Sequence, residues 1–282
     1  MSAPGTVRRG LDATRGASPL VLRIVPLQLY AGRGRVIVER ALRTSKAFKW
    51  TIISGFFEPV FYLVAMGAGL GSLIGTVETA SGPVSYAAFI APGLLATSAM
   101  NGAVYDSTIN IFFKMRYART YEAMLATSLG PLDVAIGEIS WALIRGAIYA
   151  TAFEFVMLAM GLIESPWAVF AVPCAVLIAF GFAAVGMAIT TWITTFQQLD
   201  WVTTLLLPMF LFSTTFFPLD VYPRGIQIFI QCFPLYHGIE LMRGFTLGDL
   251  NWGLVGHATY FVVMAVVGVA VASRRLEKLL LR

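Results

Sequence analysis

The sequence predicts an all-α membrane protein with six transmembrane helices, and three observations predict it. Mean hydropathy is +0.77, with 58% hydrophobic and only 12% charged residues, against about 25% charged in a soluble domain. Six stretches approach the roughly 20 apolar residues a helix needs to cross about 30 Å of hydrocarbon. Nearly all basic residues fall on one side of the six-span arrangement. A soluble enzyme with an ordinary surface is excluded.

Residues 1–19 are polar and lack the apolar core of a cleavable signal peptide, so they are expected to be disordered, within a cytoplasmic N-terminal tail over 1–32. Residues 33–49 read as an amphipathic helix. Val38, Ala41 or Leu42, Ser45 and Phe48 recur at helical spacing, while Arg35, Arg40, Arg43, Lys46 and Lys49 surround them. Such a helix lies in the inner headgroup layer with its basic side chains snorkelling to anionic lipid; a simple juxtamembrane stop signal is the plainer reading. Nothing here suits nucleic acid, because stacking aromatics on a groove-forming fold are absent.

The six spans are expected at 51–74, 86–113, 132–162, 167–194, 201–217 and 252–272, the fifth being short. The first ends in Gly67, Gly71 and Gly75, a small-residue register that lets helices approach closely. Seventeen of the twenty Lys and Arg precede span one, join spans two and three, or follow span six, leaving Arg224 and Arg243 opposite and Arg145 inside a span. Both termini are therefore expected in the cytoplasm, with 274–282 as a short C-terminal tail.

Between spans two and three runs KMRYARTYEAMLATSLGP, residues 114–131. As a helix over about 119–128, it puts Tyr121, Met124, Leu125 and Ser128 on one face, with Arg119 and Glu122 off it. Gly130-Pro131 ends it. This element either receives force from a soluble partner or is an ordinary inter-span loop. The segment 218–244 is too apolar for a solvated loop and is broken by Pro218, Pro223 and Pro234. Two short helices dipping into the outer leaflet satisfy the backbone at that depth.

Glu58, Asp106, Glu138, Arg145 and Glu154 lie within or beside spans. Each costs about 2.5–3.5 kcal/mol unpaired at mid-span. Glu138 and Arg145 share a face but sit about 10 Å apart along the axis, beyond direct pairing. Arg145 is instead expected to pair with Asp106 or Glu58. Catalytic signatures are missing: the sequence carries no phosphate-binding GxxxxGK[ST] loop. His237 and His257 are far apart in sequence without a Cys, Asp or Glu set for zinc. Cys174 and Cys232 are expected to be buried free thiols.

The run FIAPGLLATSAMNGAVYDSTINIFFKMRYARTYEAMLATSLGPLDVAIGEISWALIRG, 89–146, resembles the permease subunits of type-2 ATP-binding-cassette (ABC-2) exporters. GFFEPVFYLVAMGAGLG and FSTTFFPLDVYP with FPLYHGIELMRG support the likeness, and the closest group holds nodulation-factor and daunorubicin-resistance-type exporters. Asp106 stands where that family has glutamate. The resemblance implies a transmembrane domain over 50–273, a connecting helix, a coupling helix and outer re-entrant helices. It also implies two permease copies or paralogues working with two ATPase subunits in a bacterial plasma membrane. ATP and magnesium would bind those partners, leaving this chain no cofactor and no ATPase chemistry. Arg119, Tyr121, Glu122, Met124 and Leu125 would couple to them. Phe56, Phe57, Tyr62, Met100, Asn101, Leu206, Met209 and Phe210 are the expected path for an amphipathic drug, lipid or glycolipid, with Phe216, Phe217 and Tyr222 as an outer valve. The competing class is a stand-alone channel or proton-driven carrier; an integral-membrane transferase lacks its acid–base cluster.

Overall fold

In the computed structural model, residues 32–44 and 48–280 are described; the expected N-terminal tail falls almost wholly outside them. Helix α1 (Gly34–Thr44) covers most of the expected amphipathic helix. The expected helix over 33–49 is divided: α2 (Phe48–Gly69) already includes Phe48 and Lys49, and a short α3 (Gly71–Ile74) continues it. An antiparallel hairpin follows, β1 (Thr76–Thr79) and β2 (Gly82–Ser85), with Thr76 opposite Ser85 and Thr79 opposite Gly82. The chain is otherwise helical, in keeping with the expected all-α class; this one short hairpin is an addition to it, made possible by Gly75 (φ 73°) and Gly82 (φ 114°), which supply turns that other residues rarely adopt.

Helix α4 (Tyr86–Tyr105) starts on the Ser85 hydroxyl, which accepts from the Ala88 N–H. It continues through two π-helical turns, Asp106–Asn110 and Phe113–Tyr117. A π turn leaves a carbonyl without its usual helical donor; the Thr190 hydroxyl lies 3.0 Å from Ser107 O. Then come α5 (Thr120–Leu125), α6 (Pro131–Ala159), a 3₁₀ turn (Pro166–Phe170) and α7 (Ala171–Thr190). After them run α8 (Gln197–Phe212), α9 (Arg224–Gln231), α10 (Pro234–Leu247) and α11 (Gly253–Leu280). The expected tail from 274 is helical up to Leu280, and Arg275 stacks over Trp192 at 4.5 Å.

Among the described residues, five helices are long and apolar enough to cross a membrane: Phe57–Ile74, Tyr86–Tyr117, Pro131–Ala159, Pro166–Thr190 and Gly253–Leu280. The expected fifth span is the exception. Its helix α8 has 16 residues, a rise of about 24 Å at 1.5 Å per residue. The segment 213–217 that was to extend it leaves the helix, with Thr214 at φ 65°.

The core is built around α4 and α7. In α4, 78% of the most apolar window is buried, against 11% in the first span, so α2 is peripheral. Helix α11 packs most extensively on α7, and α7 also meets α6 and α4. Glycine permits the closest crossing: a Cβ on Gly268 would sit 2.6 Å from the Ala184 carbonyl carbon. Gly67 likewise abuts Ala87, but Gly71 and Gly75 face open space. The expected glycine packing register therefore reduces to one residue within this chain. The burial of Cys174 is as expected, whereas Cys232 is exposed; both are free thiols.

Candidate functional site

Helix α8 stands off the bundle. Among the described residues it packs little against any other element, although Leu199 and Met209 are buried. The gap between it and α2, α4 and α6 is a cavity of about 740 Å³. The α4 and α6 side is mostly polar, with Thr97, Ser98, Asn101, Tyr105, Asp106, Arg145 and Tyr149 beside Leu94 and Val104; the α2 and α8 side is mostly apolar, with Pro59, Tyr62, Leu206, Leu207 and Phe210 beside Glu58 and Thr203. Such a two-sided lining accepts a molecule with a polar end and an apolar end.

Tyr62, Asn101, Leu206 and Phe210 of the expected path residues line this space, as does Glu58. Met100 and Met209 are buried in packing instead. Phe57 is exposed and stacks on Phe61 at 5.7 Å. Phe56 lies in α2, with its side chain outside the described residues. Span three contributes Arg145 and Tyr149, which the expected one-two-five wall omitted. Of the expected valve, Phe216 is buried and meets Phe210 edge-on at 5.1 Å, and Phe210 meets Tyr62 at 5.8 Å. Phe217 is exposed and Tyr222 half-buried, each outside that chain of rings.

Three of the five intramembrane charges, Asp106, Glu138 and Arg145, are paired. Arg145 Nη2 forms a salt bridge with Asp106 Oδ1, the first of the two expected alternatives. Glu138 takes Lys114 Nζ at 2.5 Å, so Glu138 and Arg145 have separate partners, as their spacing requires. Glu154 is half-buried on α6 away from the cavity. A second cavity of about 290 Å³ lies between α1, α5 and α6, with Arg40, Asp106, Asn110, Lys114, Thr120, Glu138 and Arg145 in its walls.

The coupling segment is shorter than 119–128. Arg119 precedes α5 in the left-handed region (φ 46°). Tyr121 (0% exposed) and Met124 are buried, Leu125 is half-buried, and Glu122 and Ala123 are exposed. The apolar face therefore points into the body, and the outward face is polar. Burial, followed by the negative charge of Glu138, pushes the Tyr121 phenol well above its ordinary pKa, so it stays neutral. Asp133, fully buried at the start of α6, ties this region together. Its carboxylate accepts from the Gly130 N–H and from the Arg33 N–H at the start of α1, both at 2.8 Å.

Two features lay beyond sequence reasoning. Arg243, read as an outer loop cation, is 8% exposed. Its guanidinium donates to Thr214 O at 2.5 Å and to Phe89 O at 3.4 Å, and lies 3.8 Å from the Phe89 ring centroid. His237 and His257, read as unrelated, meet Nδ1 to Nδ1 at 2.8 Å, so one ring donates and the other accepts. Tyr260 stacks on His237 at 4.4 Å. Among the described residues no group of three or more His, Cys, Asp or Glu could hold a metal.

Residues 34–247 match the family model described as ABC-2 type transporter. Relatives include Nodulation protein J of Rhizobium leguminosarum bv. viciae, 33% identical over 244 residues, covering 84% of this chain and 92% of that protein. Nodulation protein J of Sinorhizobium fredii is 33% identical over 236 residues, covering 82% and 88%. The inner membrane transport permease YadH of Escherichia coli is 25% identical over 221 residues, covering 78% and 83%. The match spans the cavity walls of α2, α4, α6 and α8, the short helix α5, and Arg243. The chain therefore belongs to the ABC-2 type transporter family, as a multi-pass membrane permease.

Proposed function

We propose that this chain is the transmembrane permease of an ATP-driven exporter in a bacterial inner membrane, moving an amphipathic or hydrophobic substrate outward. The power comes from separate nucleotide-binding subunits, which hold the ATP and magnesium, and a second permease copy or a paralogue completes the transporter. The observation that carries this is the two-sided cavity behind α8, whose polar and apolar walls suit a drug, lipid or glycolipid. Family membership supports the division of labour.

In this reading α8 is the fifth of six spans, which keeps both termini cytoplasmic, and α9 and α10 dip into the outer leaflet. The exposed large side chains on α8, among them Trp201, Leu205 and Leu211, then face lipid or the second copy. The ATPase grips the outward face of α5, around Glu122 and Ala123, while buried Tyr121 and Met124 pass the movement to α6. A proton-driven carrier is not favoured, because Asp106, Arg145, Glu138 and Lys114 are spent on two ion pairs and form no relay.

Co-expression with a Walker-motif ATPase from the same genome tests the partnership. The two are expected to co-purify, and Glu122→Arg with Ala123→Glu is expected to abolish that while the permease still inserts and elutes as a folded species. Retention of the ATPase by that double variant would move the docking site elsewhere.

A further inference from the structure

Two cavities flank a single ion pair. Asp106 and Arg145 line the large cavity behind α8 and also the smaller charged cavity beneath α1. Their side chains are each little exposed, at 11% and 13%. Ser98 and Thr97 belong to the large cavity, while Thr120 and Lys114 belong to the small one. The pair therefore stands as the partition between them. We propose that the Asp106–Arg145 pair is an ionic gate, and that the small cavity is an antechamber in which an anionic cargo head, a carboxylate or phosphate, competes with Asp106 for Arg145.

Three features support a part that opens. First, Arg145 Nε is buried with no hydrogen-bond partner. An arginine carries five N–H donors in a rigid fork suited to carboxylate and phosphate, so this guanidinium keeps a donor that Asp106 leaves unused. Second, Asp106 opens a π-helical turn, with a second such turn at Phe113–Tyr117. Single π turns cluster at functional sites, since each holds an extra residue whose release changes the local register. Third, the coupling helix itself is one of the antechamber's walls: Thr120 and Met124 of α5 line it, together with Ile37, Arg40 and Ala41 of α1. A push on α5 is delivered directly to the chamber.

The charges suit an anion. Arg40, Lys114 and Arg145 face Asp106 and Glu138. Lys114 is engaged by Glu138, whereas Arg145 keeps a buried Nε donor unused beside its bond to Asp106, so the exchangeable cation is Arg145. An acceptor that captures Arg145 frees Asp106, which retains the Asn110 amide, donating to Asp106 Oδ1 at 2.8 Å. The charge of the aspartate is thus not stranded when the gate parts.

The inference rests on the permease reading for its direction, but its test needs neither nucleotide nor partner. The protein would be prepared with Cys174→Ala and Cys232→Ser, carrying either Ser98→Cys or Thr120→Cys, in sealed inside-out vesicles. A membrane-impermeant thiol reagent is then added. Thr120→Cys is expected to react readily and Ser98→Cys slowly. With Asp106→Asn and Arg145→Gln together, modification of Ser98→Cys should rise about tenfold, the shift that about 1.4 kcal/mol produces. The exchange Asp106→Arg with Arg145→Asp should restore protection. Dodecyl phosphate, at concentrations leaving vesicles sealed, should speed Ser98→Cys modification where dodecyl maltoside does not. Equal reactivity of Ser98→Cys with and without the pair would overturn the gate. Equal effects of the two amphiphiles would overturn the anionic head. Transport without nucleotide would instead remove the ATP-driven reading and leave this accessibility pattern unchanged.

Discussion

A guanidinium shut away from water is stable only where acceptors and a counter-charge replace the water it loses. Arg243 meets that condition with Thr214 O, Phe89 O, the Phe89 ring and Glu240 at 3.3 Å. In return it holds Thr214 in the left-handed conformation that ends α8. Replacing it with methionine would strand those carbonyls, at about 1–3 kcal/mol for each buried acceptor left unpaired. With roughly 2–4 °C per kcal/mol for a chain near this size, Arg243→Met is expected to lower the melting temperature in detergent by several degrees. Arg243→Lys should recover little, because one ammonium cannot span acceptors placed for a planar fork. A thermal shift assay checks both; an unchanged midpoint for the methionine variant would contradict the clamp. None of this was legible in sequence, where Arg243 looks like an ordinary outer cation. Its partners come from a break in the chain 28–29 residues earlier and from α4. The Asp106–Arg145 pair was legible, because two antiparallel neighbours bring equal depths together and an unpaired charge there is too costly to leave alone.

At the level of elements, hydropathy and positive charge located the long helices, and proline spacing located α9 and α10. The hairpin at 76–85 was hidden, since four-residue strands with partly polar sequence give too short an alternation to separate from a loop. The coupling segment shows how far periodicity reaches: the apolar face over Tyr121, Met124 and Leu125 was readable, but not whether it faces a partner or the body. The burial of Tyr121 decides how a mutant would behave. Tyr121→Arg would place a second charge against Glu138 in a sealed space, so it is expected to destabilise the fold rather than only uncouple it. Expression and size-exclusion behaviour would check this, and a stable monodisperse Tyr121→Arg protein would contradict the burial. The docking of α1 is similarly tight. A Cβ on Gly137 would lie 2.7 Å from Ile37 Cβ and 2.9 Å from Gly34 O. Gly137→Val should lift α1 from α6 and expose the antechamber, seen as faster proteolysis near Arg40; parental proteolysis would show that α1 tolerates the bulk.

At the level of the whole molecule, a stand-off helix leaves a large two-sided cavity, and charged pairs divide it from a chamber beside the coupling helix. On the proposed function, that layout would make force on α5 and movement at α8 parts of one device. The histidine contact between α10 and α11, 2.8 Å across Nδ1 atoms, braces the opposite end of the same body. Hydropathy located five of the six expected spans and their order, while the cavity depends on α8 being short and loosely packed, which no local pattern encodes. The account stands or falls on where the energy enters. Proteoliposomes holding the permease with its candidate ATPase, loaded on the cytoplasmic face with a labelled amphiphile that stimulates ATP hydrolysis, measure this directly. Outward movement should require both ATP and the second subunit and stop with a non-hydrolysable analogue; equal movement by the permease alone, with neither present, would contradict it.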